Sequence, residues 1–212
     1  MKINTVLFDL DGTLIDSLPL IRRTYQRVFN ELNIPWVNEV MNSVGLPLVQ
    51  IAKEYAGEER HKEFFKLYQQ YYAIEHDVMT QVFPGTVEML STLKAQGYRL
   101  GLVTSKSRSV AIRSAQYVGI DNFMEVVVGA EDVTRHKPQP EPLLKALDLM
   151  NLPADTAAYV GDSPFDIMAA KGAGVMAVGV TWGMSDRLQI MHHEPNVILE
   201  EWDDLIKLLG LK

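Results

Sequence analysis

Asp9 and Asp11 stand one residue apart at the end of an apolar run, Ile3, Val6, Leu7 and Phe8, and Gly12 follows them. In an extended strand residues i and i+2 face the same side, so both carboxylates converge on one small volume if that geometry persists through them. Two anions so close need a proton or a cation, and a hard divalent ion with oxygen ligands, such as Mg2+, resolves the repulsion most simply. The competing reading is a solvated turn, since Asp and Gly are ordinary turn residues.

Three later segments bear on that choice. Thr104-Ser105-Lys106 follows the apolar run Arg99–Val103 and precedes a helical pattern. Hydroxyls and unpaired N–H groups there suit a phosphate, although Ser105 or Ser107 could equally serve as a plain helix cap. Lys137 lies in the proline-rich stretch Arg135 to Pro142, where one ammonium could neutralise both phosphate oxygens and a carboxylate, or simply be solvated. Tyr159-Val160-Gly161-Asp162 ends a further apolar run in a carboxylate, a placement like that of Asp9. The next residues spell a helix start: Ser163 as cap, Pro164 in the first turn and Asp166 as capping-box partner. Asp166 therefore has a structural explanation; Asp162 has none and offers a metal another oxygen.

The elements that must position these residues follow from periodicity. A strand ends at Asp9, and helical spacing then dominates residues 17 to about 82, with Leu20, Ile21, Tyr25, Val28, Phe29 and Leu32 on one face; the same spacing carries Phe64, Leu67, Tyr68, Tyr71 and Tyr72. No strand is expected in that region. After Pro84-Gly85 a helix runs to Gly97, and strands at Arg99–Val103, Glu125–Val128, Ala157–Val160 and Val175–Val180 alternate with helices near 107–118, 140–149 and 164–172. This alternation predicts an α/β fold, a doubly wound parallel sheet whose ligand site lies beyond the carboxyl ends of its strands. Residues 1–14 and 84–212 form the α/β core in this reading, and 15–83 a helical insert that hangs over the crevice as a lid.

Composition narrows the function. A chain of 212 residues, 47% hydrophobic, can bury a sizeable core. A formal charge of −7 with no basic block argues against nucleic acid or an anionic membrane as partner. The absence of cysteine excludes disulfides, thiolate catalysis and cysteine-ligated zinc. With no signal-like start and no apolar stretch long enough to span a membrane, the expectation is a cytoplasmic protein.

With these motifs in order, the chain resembles the haloacid dehalogenase superfamily, specifically its phosphatases with a helical cap inserted after the first motif. Asp9-Leu10-Asp11-Gly12-Thr13-Leu14 resembles the first family motif, Thr104 the second, Lys137 the third and Gly161 to Asp166 the fourth. Within the superfamily the phosphoglycolate phosphatases and related pyrophosphatases are most similar, and Gly179-Val180-Thr181-Trp182-Gly183 also resembles them. The resemblance implies Asp9 as nucleophile forming an aspartyl-phosphate, and Asp11 as the acid and then base that serves both half-reactions. It implies Mg2+ on the Asp9 carboxylate, the Asp11 carbonyl and Asp162, with Asp166 as support or occasional ligand. Thr104, Ser105 and Lys137 would hold the phosphoryl oxygens.

Asp11 separates this chain from the dehalogenases, whose departing halide needs no proton. A phosphomutase of the β-phosphoglucomutase type shares cap and motif order, and a phosphoacceptor signalling module shares the parallel sheet, Mg2+ and an aspartyl-phosphate. In the cap, Gly45-Leu46-Pro47 resembles a substrate-specificity loop, whereas Arg22 and Arg23 read first as a solvated basic face. No histidine spacing points to a metal, and Trp36, Trp182 and Trp202 read as packing residues. The expected partner is a small phosphorylated metabolite, a phosphoglycolate-like ester or pyrophosphate, acted on by a monomer or homodimer.

Overall fold

The computed structural model describes residues 3–211. The chain begins with β1 (Thr5–Phe8), β2 (Ile15–Asp16) and α1 (Leu18–Glu31), then a 3₁₀ turn at Asn38–Ser43, α2 (Leu48–Met79) and β3 (Gln81–Val82). It continues through α3 (Thr86–Ala95), β4 (Arg99–Val103), α4 (Arg108–Tyr117), β5 (Val126–Val128) and α5 (Glu141–Met150). The last third holds β6 (Ala157–Gly161), α6 (Pro164–Ala173), β7 (Met176–Val180), α7 (Arg187–His192), β8 (Val197–Leu199) and α8 (Trp202–Leu208).

Six strands form one parallel sheet in the order β5-β4-β1-β6-β7-β8. Every residue of β1 is buried, because helices cover both faces of a parallel sheet. Its side chains divide with period two: Val6 and Phe8 pack with Leu100, Leu102 and Val160 on one face, while Leu7 joins Val103, Tyr159 and Leu143 on the other. The strand order reverses direction between β1 and β6. In open α/β sheets that switch point opens a crevice at the carboxyl ends of the strands, and Asp9 and Asp162 end these two strands.

The insert is a separate helical layer. α1 packs on α2 through Tyr25, Phe29 and Phe64, with Trp36 edge-on to Phe29 at 5.4 Å. α2 is interrupted at Gly57, whose φ of 75° lies in the left-handed region that glycine adopts without steric cost.

Two features differ from the sequence expectation. Gln81–Val82 is a strand, not helix, and pairs antiparallel with Ile15–Asp16, so the two connections to the insert are zipped together. Two residues are too few to show alternation. The sheet also gains β8 beside β7, followed by α8, whose Trp202 packs edge-on to Phe8 at 6.1 Å. Trp182 meets Trp202 at 4.7 Å and donates Nε1–H to the Thr13 carbonyl, so both tryptophans brace the loop after Asp11.

Candidate active site

At the switch point Asp9 and Asp162 are joined by Asp166 from the first turn of α6. One carboxylate oxygen from each of the three lies within 4.8 Å of the others, and all three residues are buried. Lys137, 2% exposed, stands among them. Its Nζ donates to Asp9 Oδ1 at 2.8 Å, Asp166 Oδ1 at 2.6 Å and the Tyr159 hydroxyl at 3.0 Å. Tyr159 in turn donates to the Val103 carbonyl at 2.8 Å, so β4 and β6 fix the lysine from behind.

The electrostatics follow from this census. Burial pushes the Asp9 carboxyl from 3.8 up to about 7, with Lys137 opposing and Asp166 adding to the rise. Burial, then Asp166 and Asp9, likewise raise Asp162 well above the carboxylate range. For Lys137 burial works against the charge, yet the Asp166 and Asp9 carboxylates outweigh it and hold the ammonium's pKa well above normal. Three carboxylates against one ammonium leave two uncompensated negative charges when all are ionised. A divalent cation with hard oxygen ligands matches that deficit in sign, size and donor type.

Local sequence explains the placement. The α6 capping box is present: Asp166 Oδ2 accepts from Ser163 N at 3.0 Å and Ser163 Oγ at 2.6 Å, while Oδ1 takes Lys137. Asp166 therefore ties the helix start to the lysine. A Cβ on Gly161 would fall 2.4 Å from Asp166 Cβ, so the backbone approach there requires glycine. Gly12, at φ +82°, similarly makes room for Asp162, whose Oδ2 would lie 2.1 Å from a Cβ on it. Met184 N–H donates to that same oxygen at 2.6 Å and fixes the rotamer.

Asp11 is turned elsewhere. Strand geometry ends at Phe8, and in place of the expected convergence the Asp9 carboxylate joins Asp162 and Asp166 while that of Asp11 does not, although both residues line one cavity. Asp11 Oδ1 accepts from Ser17 Oγ at 2.5 Å and from Lys106 Nζ at 2.6 Å. Asp11 is outside the carboxylate cluster, which leaves its backbone carbonyl as the group it could offer a metal there. Lys106 also donates to the Tyr72 hydroxyl at 2.6 Å, so a core lysine links Asp11 to the cap. Asp11 and Tyr72 overcome the burial that would discharge Lys106 and hold its pKa above normal.

Thr104 is 5% exposed, its Oγ1 accepting from Lys106 N–H at 3.2 Å on the cavity floor. Ser105 points its hydroxyl at the Gly45 carbonyl, 2.5 Å away. Gly45, at φ +107°, packs its backbone against Phe165, so Gly45 and Ser105 meet at the seam between cap and core. Arg23 pairs with Glu75 at 2.7 Å, Arg22 bonds Asn38 at 3.3 Å, and neither lines the cavity. The sequence reading assigned no role to Lys106, Ser17, Tyr72 or Tyr159. Tyr159 carried a signal, a phenol inside the apolar run Ala157–Val160; the Asp11–Lys106–Tyr72 chain spans 95 and 34 residues and leaves no local trace.

An aspartate-centred hydrolase roofed by an inserted helical cap is the class that this crevice and its covering define. Residues 6–180 match the haloacid dehalogenase-like hydrolase family. The chain is 34% identical over 215 residues to the pyrophosphatase PpaX of Halalkalibacterium halodurans, covering 100% of this chain and 99% of that protein. It is also 34% identical over 221 residues to PpaX of Bacillus mycoides, covering 99% and 98%. A crystal structure described as a predicted phosphoglycolate phosphatase from Haemophilus somnus superposes with a TM-score of 0.89 at 30% identity, covering 98% of each chain. This chain belongs to the haloacid dehalogenase-like hydrolases, in the branch of phosphatases that includes PpaX and the phosphoglycolate phosphatase-like proteins. Among the described residues no helix is long and apolar enough to cross a membrane.

Proposed function

We propose that the chain is a Mg2+-dependent phosphatase that hydrolyses a phosphate ester of a small cytoplasmic metabolite through an aspartyl-phosphate on Asp9. The observation that carries this reading is the Asp9 carboxylate itself: buried at the switch point, 2.8 Å from Lys137 Nζ and open to the cavity that Asp11 also lines. Asp9 attacks phosphorus, the bond to the ester oxygen breaks, and Asp11 gives that oxygen its proton. Asp11 then takes a proton from water, which attacks the same phosphorus and returns Asp9 to a carboxylate. Lys137 and Thr104 hold the phosphoryl oxygens, and Asp166 keeps Lys137 in place. Asp9, Asp162 and the Asp11 carbonyl would hold Mg2+, which when bound neutralises phosphoryl charge and aligns the displacement.

Ser17 and Lys106 orient Asp11 at 2.5 and 2.6 Å, a hold suited to a carboxyl that meets first an alcohol and then a water. Hydrolysis of p-nitrophenyl phosphate tests the reading: Mg2+ should sustain many turnovers per chain and EDTA abolish them. A single equivalent of bound phosphate without further release would instead describe a phosphoacceptor. Asp11→Asn should lose about 10²- to 10⁴-fold in kcat for an alkyl phosphate. Its Mg2+ binding should persist, because the side chain lies outside the carboxylate cluster; turnover near wild type would remove its proton-transfer role.

Metal binding should also depend on pH in a defined direction. Asp9 titrates at about 7 when folded against 3.8 unfolded, so stability of the metal-free protein is lost as pH rises from about 4 to 7. Mg2+ answers the ionised cluster, and its stabilisation follows the opposite trend. The rise in Tm on adding Mg2+ should be larger at pH 8 than at pH 5 by differential scanning fluorimetry, and an equal rise at both would place the ion elsewhere.

A further inference from the structure

The cavity above Asp9 and Asp11 encloses about 850 Å³. That lies toward the upper end of pockets that take up whole drug-sized molecules, far more than a phosphoryl group fills. The floor is polar, with Asp9, Asp11, Thr104, Lys106 and Asp162, while Lys62, Arg113 and Glu131 line the cavity as exposed residues and His61 and His136 as half-buried ones. The roof is different: Ile21 and Tyr25 from α1, Leu46 just before α2, Leu48 at its start, and Phe65 and Tyr68 further along it. Tyr25 and Tyr68 lie with ring centroids 4.8 Å apart, and Tyr68 stacks on Tyr72 at 5.9 Å, which makes one continuous aromatic wall.

A second anion on the substrate would need a cation in that roof. Among the described residues the lysines and arginines lining the cavity are Lys62, Lys106 and Arg113. Lys106 is already shared between Asp11 and Tyr72, Arg113 pairs with Asp77 at 3.1 Å, and Lys62 stands in solvent. Pyrophosphate and phosphoglycolate both carry a second anion, and Ile21, Tyr25, Leu46, Phe65 and Tyr68 in the roof offer it no charge.

We propose that the cavity selects phosphate esters whose leaving alcohol carries an extended apolar or aromatic body, in preference to compact anions such as pyrophosphate and phosphoglycolate. The inference rests on the phosphatase reading above. Hydrocarbon that moves from water against this wall gains binding in proportion to its area, and flat rings gain contact with the tyrosine faces as well.

A series of n-alkyl phosphates from ethyl to hexyl tests it, because chain length changes the buried area while the acidity of the leaving alcohol stays nearly constant. The Mg2+-loaded full chain should show kcat/KM rising about fourfold per methylene, roughly 250-fold from ethyl to hexyl phosphate. Hexyl phosphate should also exceed pyrophosphate and phosphoglycolate. Leu48→Asn should lower the hexyl-to-ethyl ratio by about fourfold, the worth of one methylene contact; a merely loosened cap would depress both esters and leave the ratio unchanged. A flat series, an unchanged ratio in this variant, or preference for either compact anion overturns the proposal while leaving the phosphatase intact. p-Nitrophenyl phosphate in the same assay separates the two readings: if it too releases no phosphate, the phosphatase reading falls and takes the substrate class with it.

Discussion

Asp9→Asn should release no measurable phosphate from p-nitrophenyl phosphate, a fall in kcat of about 10⁴-fold or more, since deletion of a nucleophile removes the covalent route altogether. The same variant should gain thermal stability when metal-free. Burial lifts the Asp9 carboxyl to about 7, so at pH 8 the folded protein carries a charge that its surroundings resist. An amide of the same shape lacks that charge, and Lys137 keeps its 2.6 Å contact with Asp166. A higher Tm than wild type at pH 8, shrinking toward pH 4, is the expected pattern in EDTA. Full turnover would displace Asp9 from the mechanism, and a lower Tm at pH 8 would show that the Lys137–Asp9 contact outweighs the cost of burying the carboxylate.

Lys137→Met should be the most destabilising conservative change near the site. It keeps the side chain's length and removes what is, among the described residues, the one ammonium in contact with Asp9 and Asp166, both at most 5% exposed. Breaking a buried pair in this way leaves uncompensated charge and costs about 3–5 kcal/mol, against roughly 0–1 kcal/mol for an exposed pair. Arg187→Met supplies the comparison, because the Arg187–Glu200 contact at 2.6 Å has both side chains more than half exposed. Urea denaturation of the metal-free proteins at pH 8 should separate the two variants clearly. Equal midpoints would mean that the carboxylates shed their charge by protonation, and that Lys137 matters to phosphate rather than to folding. Lowering the pH toward 5 should narrow the gap, because Asp9 then folds protonated and needs the ammonium less.

The chain makes its core plain in sequence because parallel strands buried on both faces leave continuous apolar runs. β1, β4, β6 and β7 all do so, and each of the first three places a polar residue at its carboxyl end: Asp9, Thr104 and Asp162. Asp166 was legible as a helix cap, since capping is a three-residue relationship; its second contact, to Lys137, crosses 29 residues and was not. The orientation of Asp11 was hidden for a similar reason. Extended geometry would have turned it toward Asp9, but the turn at Gly12 and the distant Lys106 turn it toward the cap. The strands at Ile15–Asp16 and Gln81–Val82 are too short to carry a period and exist through their pairing alone.

That pairing has an evolutionary consequence. Ile15 lies opposite Val82 and Asp16 opposite Gln81, so the chain leaves the core and returns to it through adjacent positions, about 5 Å apart. From the core's side the entire intervening segment is topologically equivalent to the loop of a hairpin. A gene encoding this architecture can therefore lengthen, shorten or exchange that segment as a cassette without changing the register of any strand in the main sheet. Reaction type and substrate preference are then inherited as separate modules, and likeness in the core leaves room for relatives with divergent diets.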